Sequence, residues 1–385
     1  MPHRRTRTEV RVSLAVVPVQ EGGDLLGPAV RVFAGLSTWI AVSRVTAGPT
    51  QTPADLQRIA GGARYVLHGW TERERGRMRL TLELNETESG RVLWSDRLDR
   101  PVTEREALRE DAAVRIGQAI GPVLLRRELD RTALEAPDAL TAQDLALRAF
   151  DAIMQPRRGE FLAAAGALAR AEATGGDLAG TRFAMVWWHL MAISQGWGGN
   201  LAHAAALAGQ LDGGDPAAAA LRIYVDAVQP QGYAAAKAGL DLVLDNASLC
   251  GVAGCLKALT MCWLGDAHGA IGYAEQACEV PALGPERAWR EHVTALAYYV
   301  AGRYDDAVRW ARLSAARHPV LAANVRVLAA GLAVLGRLDE AQHVATQVLV
   351  IDPAFRISTW RERSLLPGDC LNATVQRLRL AGLPG

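Results

Sequence analysis

Hydrophobic positions follow two different rhythms along this 385-residue chain. Up to about residue 100 they come in short runs or strict alternation. From about residue 143 they fall at helical spacing in Ala-rich segments. Val12 to Val19 is an unbroken apolar, β-branched run of strand length, suited to a strand buried on both faces. Asp24 to Ser37 carries Leu25, Val30, Phe33, Ala34 and Leu36, which predicts a helix, and Trp39 to Val45 is strand-like again. Thr52-Pro53-Ala54-Asp55 is a helix start, with Thr52 as N-cap and Pro53 at the first helical position. That helix is expected to end at Gly61-Gly62. Tyr65 to Thr71, Met78 to Asn85 and Val92 to Leu98 predict three further strands. In the middle one Met78, Leu80, Leu82 and Leu84 alternate with polar residues, so one face is buried and one is wet. Turn signals at Arg75-Gly76 and Ser89-Gly90 make these strands a meander. Thr103 to Asp130 predicts a long helix with Leu108, Ala112, Ile116, Ile120 and Leu124 on one stripe. The order β-α-β-α-β-β-β-α implies a small mixed-sheet α/β domain over 12–132. No phosphate-binding glycine motif follows the first strand. Gly22-Gly23 and Gly61-Gly62 read as turn and helix-end glycines.

Leu134 to Thr141 contains Pro137 and Asp138, and 133–142 reads as a linker. Beyond it the chain repeats itself. Gly302, Arg303, Asp306, Ala307 and Pro319 recur 34 residues later as Gly336, Arg337, Glu340, Ala341 and Pro353. A 34-residue period with small, aromatic and Pro positions in phase resembles the tetratricopeptide (TPR) helix pair. Gly265 lies 37 residues before Gly302, a three-residue insertion placed at Pro281–Pro285. Gln231-Gly232-Tyr233 with Ala236 marks an earlier unit that ends at Asp245-Asn246. Degenerate units are expected over 143–175 and 180–213, about six in all within 143–368. Asp369 to Ala381 would be a capping helix within the final segment, 369–385. Ala258, Ala295 and Ala329 permit close packing within units, and Ala270, Ala307 and Ala341 between them. Tyr298, Tyr304 and Leu338 are expected to fill the spaces between. The fold class is therefore α+β: a small mixed-sheet α/β domain followed by an all-α TPR solenoid.

Composition narrows the function classes. Half the residues are hydrophobic and the formal charge is +1, so neither nucleic acid nor an acidic membrane surface is the expected partner. Lys237 and Lys257 are the two lysines among 42 basic residues. The resulting Arg and Ala excess reads as a high-GC bacterial codon bias. The five cysteines are an odd number, four of them in predicted helices, which fits buried thiols in a reduced, cytoplasmic protein. Cys250, Cys255 and Cys262 match no zinc spacing, and no metal or cofactor is expected. No apolar run approaches the roughly 18 residues of a membrane span. VSLAVVPV is too short for a signal peptide and lacks a small-residue cleavage site.

The runs RYVLHG (64–69), RMRLTLEL (77–84) and SGRVLWSDRLDR (89–100) resemble the TolB-amino-terminal-like domain. SLAVVP (13–18), the strand ending near Val42-Ser43-Arg44 and the closing LRLAGLPG (378–385) fit the same family. That domain precedes TPRs in many bacterial class III adenylate cyclases and CadC-like winged-helix regulators. The resemblance implies a signalling context. The chain departs from the pattern in a short loop after the first strand and in His68, where an acidic residue is common. In the family a cyclase or winged-helix output domain usually stands ahead of this region. Here MPHRRTRTEVR precedes the first strand and is expected to be a solvated basic tail, with the output domain carried on another chain.

In a TPR array the first helix of each unit lines a concave groove. The register places Cys255, Leu259 and Trp263 there in one unit, with Val252 and Cys262. Trp289, His292, Leu296 and Tyr299 follow in the next, with Val300, and then Arg326. Such a face suits a peptide held by aromatic packing and a charged anchor. The competing reading is that the same side chains pack against neighbouring helices. Trp187, Trp188, His189 and Trp197 read as interhelix core, and lone His68 and His189 are assigned no catalysis. No catalytic constellation stands out. The expectation is a non-enzymatic regulatory module with a protein partner, a homodimer being a further option. The alternatives are a small-ligand sensor in the α/β domain or at its junction with the repeats, or the remnant of a cyclase or transcriptional regulator that lacks its output domain.

Overall fold

A computed structural model describes residues 12–19, 25–27, 30, 33–45, 53–175, 178–228, 232–280, 282 and 284–385. The expected basic tail, the Thr52 cap and part of the Asp24–Ser37 helix lie outside these residues. The described end of that helix, Phe33–Leu36, is a 3-10 turn.

Five strands form one mixed sheet: β1 (Val12–Val16), β2 (Ile40–Arg44), β3 (Tyr65–Glu74), β4 (Arg77–Glu86) and β5 (Val92–Pro101), in the order β2-β1-β3-β4-β5. β1 pairs in parallel with β2 and β3, and β3-β4-β5 is an antiparallel meander. Central β1 is buried on both faces, as its unbroken apolar run requires: Leu14 and Ala15 are both fully buried. The β3–β4 turn is Arg75-Gly76, both at positive φ, the geometry that suits a two-residue hairpin. Helix α1 (Pro53–Ile59) covers one face, where Ile59 joins Ala15, Val17 and Val66. Helix α2 (Arg105–Ala133) covers the other with the expected stripe, Leu108 to Leu124, buried.

The segment expected as a linker is pinned at both ends. Glu128, on the last turns of α2, is 1% exposed. It accepts bonds from Arg64, from the Tyr65 hydroxyl at 2.6 Å and from Arg131. Arg131 also reaches Asp144, which forms a capping box with Thr141 at the start of the next helix.

Six helical hairpins follow among the described residues. They are α3 (Ala142–Met154) with α4 (Arg158–Thr174), α5 (Ala179–Gln195) with α6 (Leu201–Ala208), α7 (Pro216–Val228) with α8 (Tyr233–Asn246), α9 (Gly251–Trp263) with α10 (Ala267–Glu279), α11 (Arg287–Val300) with α12 (Tyr304–Arg317), and α13 (Ala322–Val334) with α14 (Leu338–Ile351). Two helices close the chain, α15 (Ile357–Arg363) and α16 (Gly368–Leu380). The first helix of a hairpin lies inside and the second outside. Twelve residues of α9 are buried against six of α10, and eleven of α13 against four of α14. The six expected Ala contacts are all buried, and Gly265, Gly302 and Gly336 take positive φ between the paired helices. Leu338 differs from expectation. It sits at the first position of α14 and is exposed, because the inward stripe of that helix begins at Ala341.

One hydrophobic core runs through both parts of the molecule. Trp39, just ahead of β2, lies 4.7 Å from the Phe150 ring of α3 and 5.9 Å from Phe183 of α5. Ser37 and Thr38 donate hydroxyl bonds of 2.6 and 2.7 Å to Asp215, whose other oxygen caps α7 by accepting from the Ala218 amide. The sheet unit thus seats a short segment against the inner helices of three hairpins.

Candidate functional site

The eight residues expected to line a peptide groove lie on inner helices α9, α11 and α13, but they face their own chain. Seven are buried and Trp263 is half-buried. The array curls until its second hairpin meets its fifth and sixth. Trp187 of α5 packs edge-to-face on Trp289 of α11, with 4.8 Å between ring centroids. Arg326 of α13 donates to the Ser194 carbonyl at 2.5 Å, and the Gln195 side-chain oxygen accepts from the Ala323 amide at 3.3 Å. The Arg326 guanidinium also lies over Phe355 and Trp360, and burial draws its pKa down to about 10, with Asp352 opposing. The Tyr299 hydroxyl meets Thr374 of α16 at 2.9 Å and accepts from Arg377 at 2.9 Å. Trp263 donates to the Tyr224 hydroxyl of α7 at 3.2 Å.

Cys255, Leu259 and Leu296 complete the set, at 8% exposure or less. His292 has no hydrogen-bond partner for Nδ1 among the described residues, and burial next to Arg326 lowers its pKa to about 4. The groove expected from the repeat register is therefore filled by α5, α7, α15 and α16. The physical reason is the tight curl, which brings inner faces of distant hairpins into van der Waals contact.

Burial raises the Cys250 thiol pKa to about 11 and that of Cys262 to about 12, and pushes Cys255 and Cys278 up as well. The tryptophan cluster is core, as expected: Trp187 is buried, and Trp188 and Trp197 pack on Phe161. His68 is bonded to Asn85 at 3.0 Å, and burial lowers its pKa.

A concave site of about 420 Å³ lies elsewhere, where α2 crosses the array. Pro122, Leu125 and Leu129 of α2 form an apolar wall. Asp151 and Gln155 come from the end of α3, Arg287 from the start of α11, and Arg317 and His318 from the end of α12. Gly284 and Pro285, from the end of the insertion that lengthens one repeat to 37 residues, complete the lining. Gly284 has φ +121°, a conformation side chains rarely adopt, and it lies against Pro122 of α2, 3.4 Å from where a Cβ would stand. Arg290 braces the nearby end of α10. It is 1% exposed and donates to the Ala277 and Val280 carbonyls at 2.9 and 3.0 Å. Behind the cleft, buried Glu291 accepts from Arg287 at 3.3 Å and Arg317 at 2.7 Å. Burial, with Arg157 adding, lowers the His318 pKa against the Gln155 carbonyl, which raises it. Burial raises the Asp151 pKa, with the bond from Gln155 opposing.

Sequence reasoning missed this cleft. Its residues sit at the ends of separate elements, where an Arg or His reads as a solvated charge. The one available signal was the three-residue insertion, since insertions in repeat arrays map to loops of one face.

No protein-family model matches the chain, and no curated protein sequence matches it. Among the described residues there is no group of three or more His, Cys, Asp or Glu placed to hold a metal ion. No helix among them is long and apolar enough to cross a membrane.

Proposed function

We propose that this chain is a non-enzymatic regulatory module of a bacterial signalling system, and that its input is a small molecule taken at the junction of the sheet unit and the helical array. The carrying observation is the contrast between two surfaces. The inner face of the array is filled by the chain itself, whereas the junction keeps a polar, apolar-walled cleft of the size small-ligand sites have. The mixed sheet ahead of stacked helical hairpins also fits the TolB-amino-terminal-like and TPR resemblance, which supports a signalling context. A ligand bridging α2 and α11 would stabilise one arrangement of the two parts, and a partner would read that arrangement.

The test is a melting-temperature survey of the purified full chain against small organic acids, phosphates and nucleotides. A saturable upward shift with at least one compound supports the reading. No shift with any compound, together with stoichiometric capture of one protein partner, would replace it with the second reading.

That second reading is a protein segment that displaces Ser37–Trp39 from the inner face. The favouring observation is that this segment lies on the inner helices much as a bound peptide would, through the Trp39 ring and two hydroxyl bonds to Asp215. Exchange of Trp39 for Ala would then strengthen partner binding.

A further inference from the structure

We infer that the junction cleft binds a small amphipathic anion, its carboxylate or phosphate head held by Arg287, Arg317 and Arg126 and its apolar body laid against Leu125 and Leu129. The inference rests on the small-ligand reading above and names the ligand's chemistry.

Three features of the cleft carry it. The lining holds three guanidinium groups against one carboxylate, Asp151, and that carboxylate already accepts from Gln155 at 2.6 Å. The guanidiniums have donors to spare. Among the described residues Arg317 commits Nε alone, to Glu291, and Arg126 Nε alone, to Asp130 at 3.1 Å. Arg287 uses Nε for Glu291 and Nη1 for the Cys278 carbonyl, which leaves Nη2 without a partner among the described residues. A guanidinium fork matches the two oxygens of a carboxylate or phosphate. Finally, the wall that faces these charges is apolar, with His318 at 7% exposure closing the edge of the cleft. A bare inorganic ion would leave that wall wet, while an ion with a hydrocarbon body would cover it.

The volume of about 420 Å³ accommodates a molecule on the scale of a medium-chain acid or a monophosphate ester. The ligand would touch α2 of the sheet unit and α11 and α12 of the array together, so its binding energy tightens the junction between them.

Isothermal titration of the full chain tests this with four probes: octanoate, octyl phosphate, octanol and inorganic phosphate. The expected result is one-to-one binding of octanoate or octyl phosphate, with octanol and inorganic phosphate at least about tenfold weaker. The preferred head group tells carboxylate from phosphate. Leu129→Trp fills the cleft and should abolish binding. Arg317→Gln should weaken it at least about tenfold. Because Arg317 also supports buried Glu291, Arg126→Gln serves as a second variant at an exposed position with no buried partner, and circular dichroism checks that each variant folds. Failure of both anions to bind the folded wild type overturns the inference, as does binding indifferent to all three variants. If octanol binds as tightly as octanoate and Leu129→Trp abolishes both, the anion assignment falls and the small-ligand reading stands.

Discussion

The Trp187 indole meets the Trp289 indole edge-to-face at 4.8 Å, and this contact joins the second hairpin to the fifth. It ends a run of rings that begins at Trp39 and passes through Phe150 and Phe183. The inner face is closed because these rings fill it. Trp289→Ala should cost about 3–5 kcal/mol in urea unfolding, the range for truncating a buried aromatic. A double-mutant cycle with Trp187→Ala should return a coupling of about 0.5–1.5 kcal/mol. Additive losses would mean that the two rings do not touch in solution.

Asp215 joins two tasks that are usually separate, capping α7 and holding the hydroxyls of Ser37 and Thr38. Asp215→Ala should destabilise by about 2–3 kcal/mol, from the lost cap plus the hydroxyl bonds. Asp215→Asn keeps an acceptor for the cap and should cost less. Amide exchange in β2 should accelerate in the Ala variant. Unchanged exchange there would separate the cap from any role in seating the sheet unit.

Gly336 turns the chain between α13 and α14 at φ +75°, with no atom within 4 Å of a Cβ built on it. Its value is conformational, so Gly336→Val should lower stability by roughly 1–2 kcal/mol and Gly336→Asn by less. A melt of the Val variant no lower than wild type would contradict the register on which the array is built.

These repeats were legible because a positive-φ glycine and buried alanines leave marks at fixed spacing. The β4 alternation was legible for the same reason, one residue type per pleat. The curl of the array was not. It is set by small rotations summed over several hairpins, and nothing local to Trp187 and Trp289 announces that they meet. An aromatic inner position such as Tyr299 reads the same whether it awaits a peptide or α16. Arg126, Arg287 and Arg317 come from three elements, and only the fold brings them to one cleft. The helix expected over Asp24–Ser37 keeps a 3-10 end at Phe33–Leu36 among its described residues, where Leu36 and Trp39 turn inward and the chain bends to reach β2.

The buried His292 links stability to pH. Its folded pKa, about 4, lies below the ordinary 6.5 because burial and Arg326 disfavour the imidazolium. Below pH 6.5 the unfolded chain takes up a proton that the folded chain refuses. Stability therefore falls as pH drops from about 6.5 to about 4, by up to roughly 3 kcal/mol at this group. His68, His189 and His318 are shifted in the same direction, so the comparison must be with a variant. His292→Gln should show a shallower loss of urea midpoint between pH 7 and pH 5 than wild type. Equal slopes would mean that His292 is protonated in the folded protein.

Hydrogen–deuterium exchange of the full chain, with and without saturating octanoate or octyl phosphate, tests the central claim most directly. The account predicts slow exchange along α9, α11 and α13 in both states. It places new protection in the segments around Pro122–Leu129, Gln155, Gly284–Glu291 and Arg317–His318. Fast exchange of those inner helices without ligand, or new protection centred on Trp263, His292 and Tyr299, would contradict it and return the binding site to the inner face of the array.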